Sequence, residues 1–287
     1  MDLRILLLFV FLINSVLGFL VFFKRHPNKK ANISFAILAW ALGVWSLCGW
    51  MMHLFKGNPL WELFFVRTGF MASSVFPSAF FAFSLFFPDK TLVVPKWKSV
   101  LFWTPSFLLV LASFTKLLVR SVNLEISTLD YGVLHPVFGI YVCLGIAGGL
   151  FLLLKSYRNA TGLRRLQIKY CFWGMLISSV FAIIPNLILP LWGTSRFNDL
   201  GPPSTIIMVS FITYAIVKHR LMDINIVLKK GTTYILLIFL LLIPSAILIL
   251  LFQRIFFKEI NYFFFAIMFS PILIGVLRSL VGQRKPV

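Results

Sequence analysis

The chain has 287 residues, of which 60% are hydrophobic and only 12% are charged, and its mean hydropathy is +0.96. Soluble domains are roughly 45–50% apolar and about 25% charged, so this composition excludes a soluble globular protein and indicates a polytopic membrane protein. The formal net charge of +19 would suit a nucleic-acid-binding protein, but the placement of the basic residues argues against that function.

Nine apolar segments follow one another along the chain, most of them close to the ~20 residues that a membrane-spanning helix needs. They lie at residues 3–23, 32–54, 61–87, 100–119, 136–155, 170–191, 202–217, 232–252 and 262–277. The first is followed by KRHPNKK, a stop-transfer arrangement, so we interpret it as a spanning helix and not as a signal peptide. No stretch shows the alternation that a membrane β-barrel requires. The sequence therefore predicts an all-α fold, a polytopic transmembrane helical bundle with about nine spans.

The basic residues predict the orientation of this bundle. Lys and Arg concentrate in alternate connections, namely KRHPNKK, PDKTLVVPKWK, KSYRNATGLRRLQIK, the stretch Lys218–Lys230 and the C-terminal tail, whereas most acidic residues lie in the other connections. The positive-inside rule then places the N-terminus outside and the C-terminus in the cytoplasm. The basic loops would face the anionic inner leaflet, so the expected partner is the lipid bilayer and not nucleic acid.

No catalytic or metal-binding motif is found in the sequence. The cysteines Cys48, Cys143 and Cys171 lie in apolar runs without CxxC spacing, which supports neither a disulfide framework nor a zinc site. No carboxylate falls at mid-membrane depth, although coupled ion transport usually needs one there. The run GIAGG at Gly145–Gly149 lies inside an apolar helix, where small residues allow close helix packing. We therefore expect no catalytic residue, no metal and no cofactor.

Four polar residues in or near the spans are candidates for ligand sensing: Arg67, Glu62, Asn14 and Asn186. Arg67 lies about six residues inside the third segment, about 9 Å deep at a rise of 1.5 Å per residue. Its side chain either snorkels to the interface or faces a pocket for an anionic or polar ligand in the outer half of the membrane. Glu62 lies on a different face of that helix. Asn14 and Asn186 either hydrogen-bond between helices or contact the ligand.

The polar stretch YAIVKHRLMDINIVLKKG, from Tyr214 to Gly231, separates two strongly apolar segments. A helical reading places Leu221, Ile224 and Leu228 on one stripe, so the stretch could lie on the inner leaflet. The letters INIV also fit a short alternating strand, and periodicity alone does not decide between the two.

Several stretches in order resemble the seven-helix membrane region found at the N-terminus of bacterial sensor histidine kinases. They are NSVLGFLVFFKRHPNKKANISFAILAWALGVWSL, FPSAFFAFSLFFP, KSYRNATGLRRLQIKY, GPPSTIIMVSFITYAIVKHRL and ITYAIVKHRLMDINIVLKKGTTYILL. Together they span roughly residues 10–235, and it is their order, more than any single motif, that carries the resemblance. The resemblance implies a seven-helix sensing region over residues 1–231, followed by two further helices and a short basic tail over residues 232–287.

The resemblance further implies a signal-input domain in the bacterial cytoplasmic membrane, with an output link that includes Tyr214, His219, Arg220 and Asp223. Family members usually continue into cytoplasmic modules and a kinase core, and this chain shows neither a phosphoacceptor box nor an ATP-lid glycine set. We therefore expect no enzymatic activity from residues 1–287, and a cytoplasmic signalling protein or kinase module, or a second copy in a homodimer, as partner. The alternatives are a small-solute transporter or channel, and a membrane enzyme acting on lipid substrates.

Overall fold

The structure is a computed structural model that describes residues 3–23, 28–87, 96–123, 128–191 and 197–219, together with positions 249, 253, 267–271 and 274. Its long helices are α1 Leu3–Phe23, α2 Lys29–Leu54, α3 Pro59–Phe86, α4 Lys96–Ser113, α5 His135–Asn159, α6 Gly162–Ile183 and α8 Gly201–His219. A π-helical turn, Ile184–Ile188, extends α6 into the short α7, Leu189–Leu191, and a 3-10 turn, Asn198–Leu200, precedes α8. Five of these helices, α1, α2, α3, α5 and α6 with its extension, are long and apolar enough to cross a membrane.

The helix boundaries differ from the predicted segments at two places. The predicted fourth segment continues to residue 119, but α4 ends at Ser113 because the Thr115 hydroxyl accepts a hydrogen bond from the Leu117 backbone and turns the chain. The sixth helix begins at Gly162 and not at residue 170, since the Leu, Arg and Gln residues of this basic stretch are strong helix formers. The predicted eighth and ninth segments, and with them most of residues 232–287, lie outside the described residues.

A short β-hairpin interrupts the helical bundle between α4 and α5. Strands β1, Val119–Asn123, and β2, Thr128–Tyr131, pair antiparallel, with Val119 opposite Tyr131. Gly132 closes the hairpin against α5, and a Cβ atom at this position would overlap the Leu117 backbone. The all-α prediction holds for the bundle, but it did not include this hairpin.

The helical bundle has a hairpin end and an opposite end. The hairpin end contains the hairpin, the turn between α2 and α3 and the 3-10 turn before α8. At the opposite end a continuous apolar core joins α1, α2, α3, α5, α6 and α8, and its fully buried side chains include Phe35, Phe80, Phe83, Leu153, Ile168 and Ile212.

Buried hydrogen bonds connect the helices in addition to apolar packing. The Ser46 hydroxyl of α2 donates to the Leu7 carbonyl of α1 over 2.7 Å, and Ser178 of α6 and Ser204 of α8 each donate to the carbonyl of the other, over 2.9 and 3.1 Å. Such bonds fix helix positions in lipid, because apolar burial alone hardly distinguishes one helix packing from another in that solvent.

Candidate functional site: a cavity at the hairpin end

A cavity of about 130 Å³ lies where α2, α3, α5, α6 and α8 converge near the hairpin end. Its walls are mostly apolar and aromatic and include Trp45, Phe65, Phe70, Phe76, Phe138 and Met175. Leu129 of β2 also lines it, so the hairpin contributes to the enclosure. Concave apolar sites with a few polar groups are the usual form of small-molecule sites in proteins.

The cavity ends against the apolar core of the bundle. Leu42, Met175 and Met208 line the cavity and also belong to that core. Towards the opposite end the space between the helices is filled by the rings of Phe35, Phe80 and Phe83. Among the described residues the space is therefore a pocket with a floor and not a passage along the bundle.

Polar groups gather at the side of the cavity formed by the π-helical turn and the 3-10 turn. The Asn186 amide nitrogen donates to the Ala182 carbonyl over 3.1 Å, and since a carbonyl can only accept, this bond fixes which amide atom is the nitrogen. The Asn198 amide nitrogen donates to the Tyr131 hydroxyl over 3.4 Å. Both residues line the cavity. The Asn198 Oδ1 atom is buried without a hydrogen-bond partner among the described residues, and the Asn186 side chain makes no described hydrogen bond besides the one to Ala182.

A contact between His53 and Asp199 connects α2 with the segment before α8. The His53 Nε2 atom lies 3.0 Å from Asp199 Oδ2, and both side chains are about one-third exposed, at 27% and 32%. Asp199 also lines the cavity, where it is the only Asp, Glu, Lys or Arg among the described lining residues. The charge inside the cavity is thus that of a carboxylate.

Two side-chain contacts hold the hairpin over the cavity. The Arg67 guanidinium donates to the Phe114 carbonyl over 3.2 Å and to the Val119 carbonyl over 2.9 Å, which connects α3 to the end of α4 and the start of β1. The Tyr131 ring packs on the His135 ring with centroids 3.9 Å apart. A guanidinium beside the last carbonyls of a helix is favoured by the helix dipole.

The structure brings one of the four ligand-sensing candidates to the cavity, namely Asn186. Arg67 binds the hairpin backbone instead, as described. Glu62 is buried and accepts a hydrogen bond from the Gly57 backbone over 2.7 Å in the turn before α3. Asn14 is fully buried and donates to Thr205 of α8 over 3.1 Å. A ligand role for these four residues stays a prediction.

Of the predicted output link, the structure describes the part that belongs to α8. The Tyr214 ring packs against Tyr170 of α6 with centroids 4.9 Å apart, and α8 ends at His219. The side chain of His219, Arg220 and Asp223 lie outside the described residues.

Sequence reasoning missed most of the cavity. In the sequence Asp199 lies in a connection and Trp45 lies inside the second apolar segment, and neither position has a pattern that predicts a site. One usable signal was the sequence NDLGPP, in which Pro202 and Pro203 mark the start of a helix directly after Asn198 and Asp199.

The bundle and its cavity define the class of this chain as a helical integral membrane protein with an internal pocket. The family model for the N-terminal 7TM region of histidine kinase matches residues 6–225, so the chain belongs to this family. The match covers nearly all of α1 and every later helix to the end of α8, and it confirms the resemblance read from the sequence. No curated protein and no solved structure matches the chain.

Proposed function

We propose that residues 1–231 are a signal-input domain in which an occupant of the cavity changes the position of α8. The observation that carries this proposal is the path of α8. Its first turns line the cavity through Pro202, Thr205 and Met208, and its last residue, His219, lies at the opposite end of the bundle. Helix α8 thus connects the cavity with the polar stretch that follows His219.

The proposed orientation places the hairpin end outside and the end of α8 in the cytoplasm, in a bacterial cytoplasmic membrane. The basic connections support this, since α5 and α6 meet at the opposite end through Lys155, Arg158, Arg164 and Arg165. The cavity then occupies the outer half of the bilayer. A cytoplasmic signalling protein or kinase module would read the stretch after His219.

A sensor is better supported than a transporter or a channel. A transporter would need a polar route that opens to alternate sides of the membrane. In the described part of the chain the bundle beyond the cavity is filled by the buried rings of Phe35, Phe80 and Phe83, which leave no polar route there. We accordingly assign the chain an input role without catalysis of its own.

An occupant can move α8 only if it binds two packings of the bundle with different affinity. Three residues lining the cavity or adjoining it determine how α8 sits: Ser178, Ser204 and Thr205 hold it to α6 and α1. Breaking these hydrogen bonds would free α8 to move relative to both α6 and α1.

The test uses a side chain to mimic an occupant. Ala182 lines the cavity from α6, and Ala182→Phe would fill it, whereas Val180→Phe adds a ring at a position of the same helix that is 46% exposed. Spin labels at Ala160 and Val217, at the opposite end, report the distance between the α5–α6 turn and the last turn of α8. We expect Ala182→Phe to shift the distance distribution in nanodiscs and Val180→Phe to leave it unchanged.

Equal distance distributions in a folded Ala182→Phe variant and in the parent would contradict the proposal. Folding is judged independently, by size-exclusion chromatography and by helical circular dichroism. The reported shift should also survive when the label at Ala160 is moved to Asn159, because the motion belongs to α8.

A further inference from the structure

The polar side of the cavity offers hydrogen-bond acceptors. Asn186 and Asn198 use their amide nitrogens on Ala182 and Tyr131, and the Oδ1 atoms of both have no partner among the described residues. The Asp199 carboxylate contacts His53 through Oδ2, and its Oδ1 atom makes no hydrogen bond to any residue in the described part of the chain. These three acceptor oxygens therefore have no donor among the described residues.

Two of the hydroxyl groups that line the cavity already donate to backbone carbonyls. The Thr205 hydroxyl donates to the Pro202 carbonyl over 2.8 Å, and the Ser73 hydroxyl donates to the Gly69 carbonyl over 2.8 Å. Helix α8 begins beside Asp199, and the N-terminus of a helix ordinarily presents free backbone N–H groups that bind anions. Two of the first three residues of α8 are Pro202 and Pro203, which have no N–H group, so this helix start is poor in donors.

The charge in the cavity leads to the same conclusion. Asp199 is the one ionisable carboxylate among the described lining residues, and Lys and Arg are missing from that set. The guanidinium of Arg67, which the sequence suggested for an anionic ligand, is bound to the Phe114 and Val119 carbonyls and does not line the cavity. An anion would enter a low-dielectric space next to a negative charge, which is costly.

We infer that the cavity takes a small amphiphile with an apolar body and a positively charged, hydrogen-bond-donating head such as a primary ammonium. The body lies among Trp45, Phe70 and Phe138, and the head lies between Asp199, Asn186 and Asn198. An ammonium carries three donors and no acceptor, so its donors equal the three acceptor oxygens in number, and its positive charge is opposite to that of the Asp199 carboxylate. This inference rests on the proposed function, because it specifies the ligand class of the same cavity.

His53 would share Asp199 with the ligand. Its Nε2 atom occupies Oδ2 and leaves Oδ1 for the ammonium. A protonated His53 would neutralise Asp199 and weaken the attraction for the ligand, whereas a neutral His53 would leave the carboxylate charge to the ligand. The head group would thereby bridge the π-helical turn that carries Asn186 and the 3-10 turn before α8.

The experiment uses two brominated probes of equal length and opposite charge, 6-bromohexylammonium and 6-bromohexanoate. Bromine quenches indole fluorescence on contact, and Trp45 lines the cavity. The full chain is placed in nanodiscs of neutral phosphatidylcholine, which removes attraction to a charged lipid surface. The signal is the quenching that the parent shows and that the Trp45→Phe variant lacks.

We expect saturable quenching of Trp45 by the ammonium probe, with an affinity roughly tenfold or more above that of the carboxylate probe. Asp199→Asn keeps the shape of the side chain and removes its charge, so the two affinities should become nearly equal in that variant. Tighter binding of 6-bromohexanoate, or a preference that Asp199→Asn leaves intact, would overturn the ligand class while the cavity remains a binding site. Quenching equal in parent and Trp45→Phe would overturn binding of either probe in the cavity.

The label distances described for Ala182→Phe are measured on the same preparation. If they shift while the bromine probes give no Trp45-dependent quenching, the ligand inference fails and the input function stands. If the probes bind but Ala182→Phe moves nothing, the cavity is a site that does not report through α8, and the proposed function fails.

Discussion

At the scale of single residues, glycines set how closely α5 approaches α3. A Cβ atom at Gly145 would come within 2.6 Å of the Pro77 Cβ atom, and one at Gly149 would come within 2.5 Å of the Phe80 ring. The prediction from GIAGG, that these glycines allow close helix packing, is confirmed by these distances. Pro77 is a rigid neighbour, because its ring is tied to the backbone.

We predict that Gly145→Ala destabilises the bundle and that Gly139→Ala, in the same helix, does not. At Gly139 the nearest atom to an added Cβ is 3.8 Å away, which is ordinary contact. Overpacking against a rigid neighbour costs roughly 1–3 kcal/mol, whereas removing a glycine from a helix otherwise gains about 0.5–1 kcal/mol. Thermal unfolding followed by size-exclusion chromatography compares the two variants, and equal melting temperatures would contradict the packing.

Arg67 supplies a second prediction at this scale. Removing its two hydrogen bonds to the Phe114 and Val119 carbonyls should loosen the hairpin, since a hydrogen bond from a charged group contributes about 1.5–3 kcal/mol. We expect faster amide exchange in β1 and β2 of Arg67→Ala by about one to two orders of magnitude. The control is Arg120→Ala, at an exposed position of β1. Exchange rates in the hairpin that match the parent would show that Arg67 does not anchor it.

At the scale of elements, the sequence was most informative about the apolar spans. The first segment coincides with α1, and the boundaries of α2, α3, α5 and α8 were predicted to within a few residues, because long apolar runs bounded by charge and proline have few other interpretations. The hairpin was missed because five- and four-residue strands inside a polar connection have no distinct signature. Its position depends on Arg67, which is distant in sequence.

The π-helical turn shows a further limit of sequence reasoning. The Leu189 N–H donates to the Ile184 carbonyl, five residues earlier, directly after Pro185 removed a donor from the helix. This extra residue rotates the end of the helix and brings Asn186 to the cavity. Proline in a membrane helix predicts an irregularity, but not which side chain the irregularity redirects.

The pair Ser178 and Ser204 gives a prediction for the contact between α6 and α8. The Ser178 hydroxyl donates to the Ser204 carbonyl, and the Ser204 hydroxyl shares its hydrogen between the Ser178 carbonyl at 3.1 Å and the Gly201 carbonyl of its own helix at 2.6 Å. Removing either side chain leaves the bond of the other in place. Hydrogen bonds between membrane helices contribute about 0.6 kcal/mol on average, with a maximum near 1.7. We expect Ser178→Ala and Ser204→Ala each to lower stability by about that amount, and a double-mutant cycle in nanodiscs to show whether the bonds act together. Melting temperatures of both variants that equal the parent would exclude this contact as a determinant of α8 position.

At the scale of the whole molecule, the cavity is a product of topology. Trp45, Phe138 and Asp199 come from α2, α5 and the turn before α8, and each lies in a stretch that the sequence identified only as a span or a connection. Their convergence requires the relative arrangement of five helices. The family resemblance supplied the helical membrane fold and the expectation of a sensor input domain, but not which residues share the cavity.

The orientation of the bundle leads to a prediction for the whole chain. Helices α2 and α3 meet at Lys56, at the hairpin end, and α5 and α6 meet at Thr161, at the opposite end. If the N-terminus is outside, Lys56→Cys reacts with a membrane-impermeant maleimide in intact cells, and Thr161→Cys reacts only after the membrane is permeabilised. The unsubstituted chain is the control, since Cys48 and Cys171 are buried and Cys143 lies within the apolar helix α5. The reverse pattern would place the cavity towards the cytoplasm, and an external stimulus could then no longer reach it from the hairpin side.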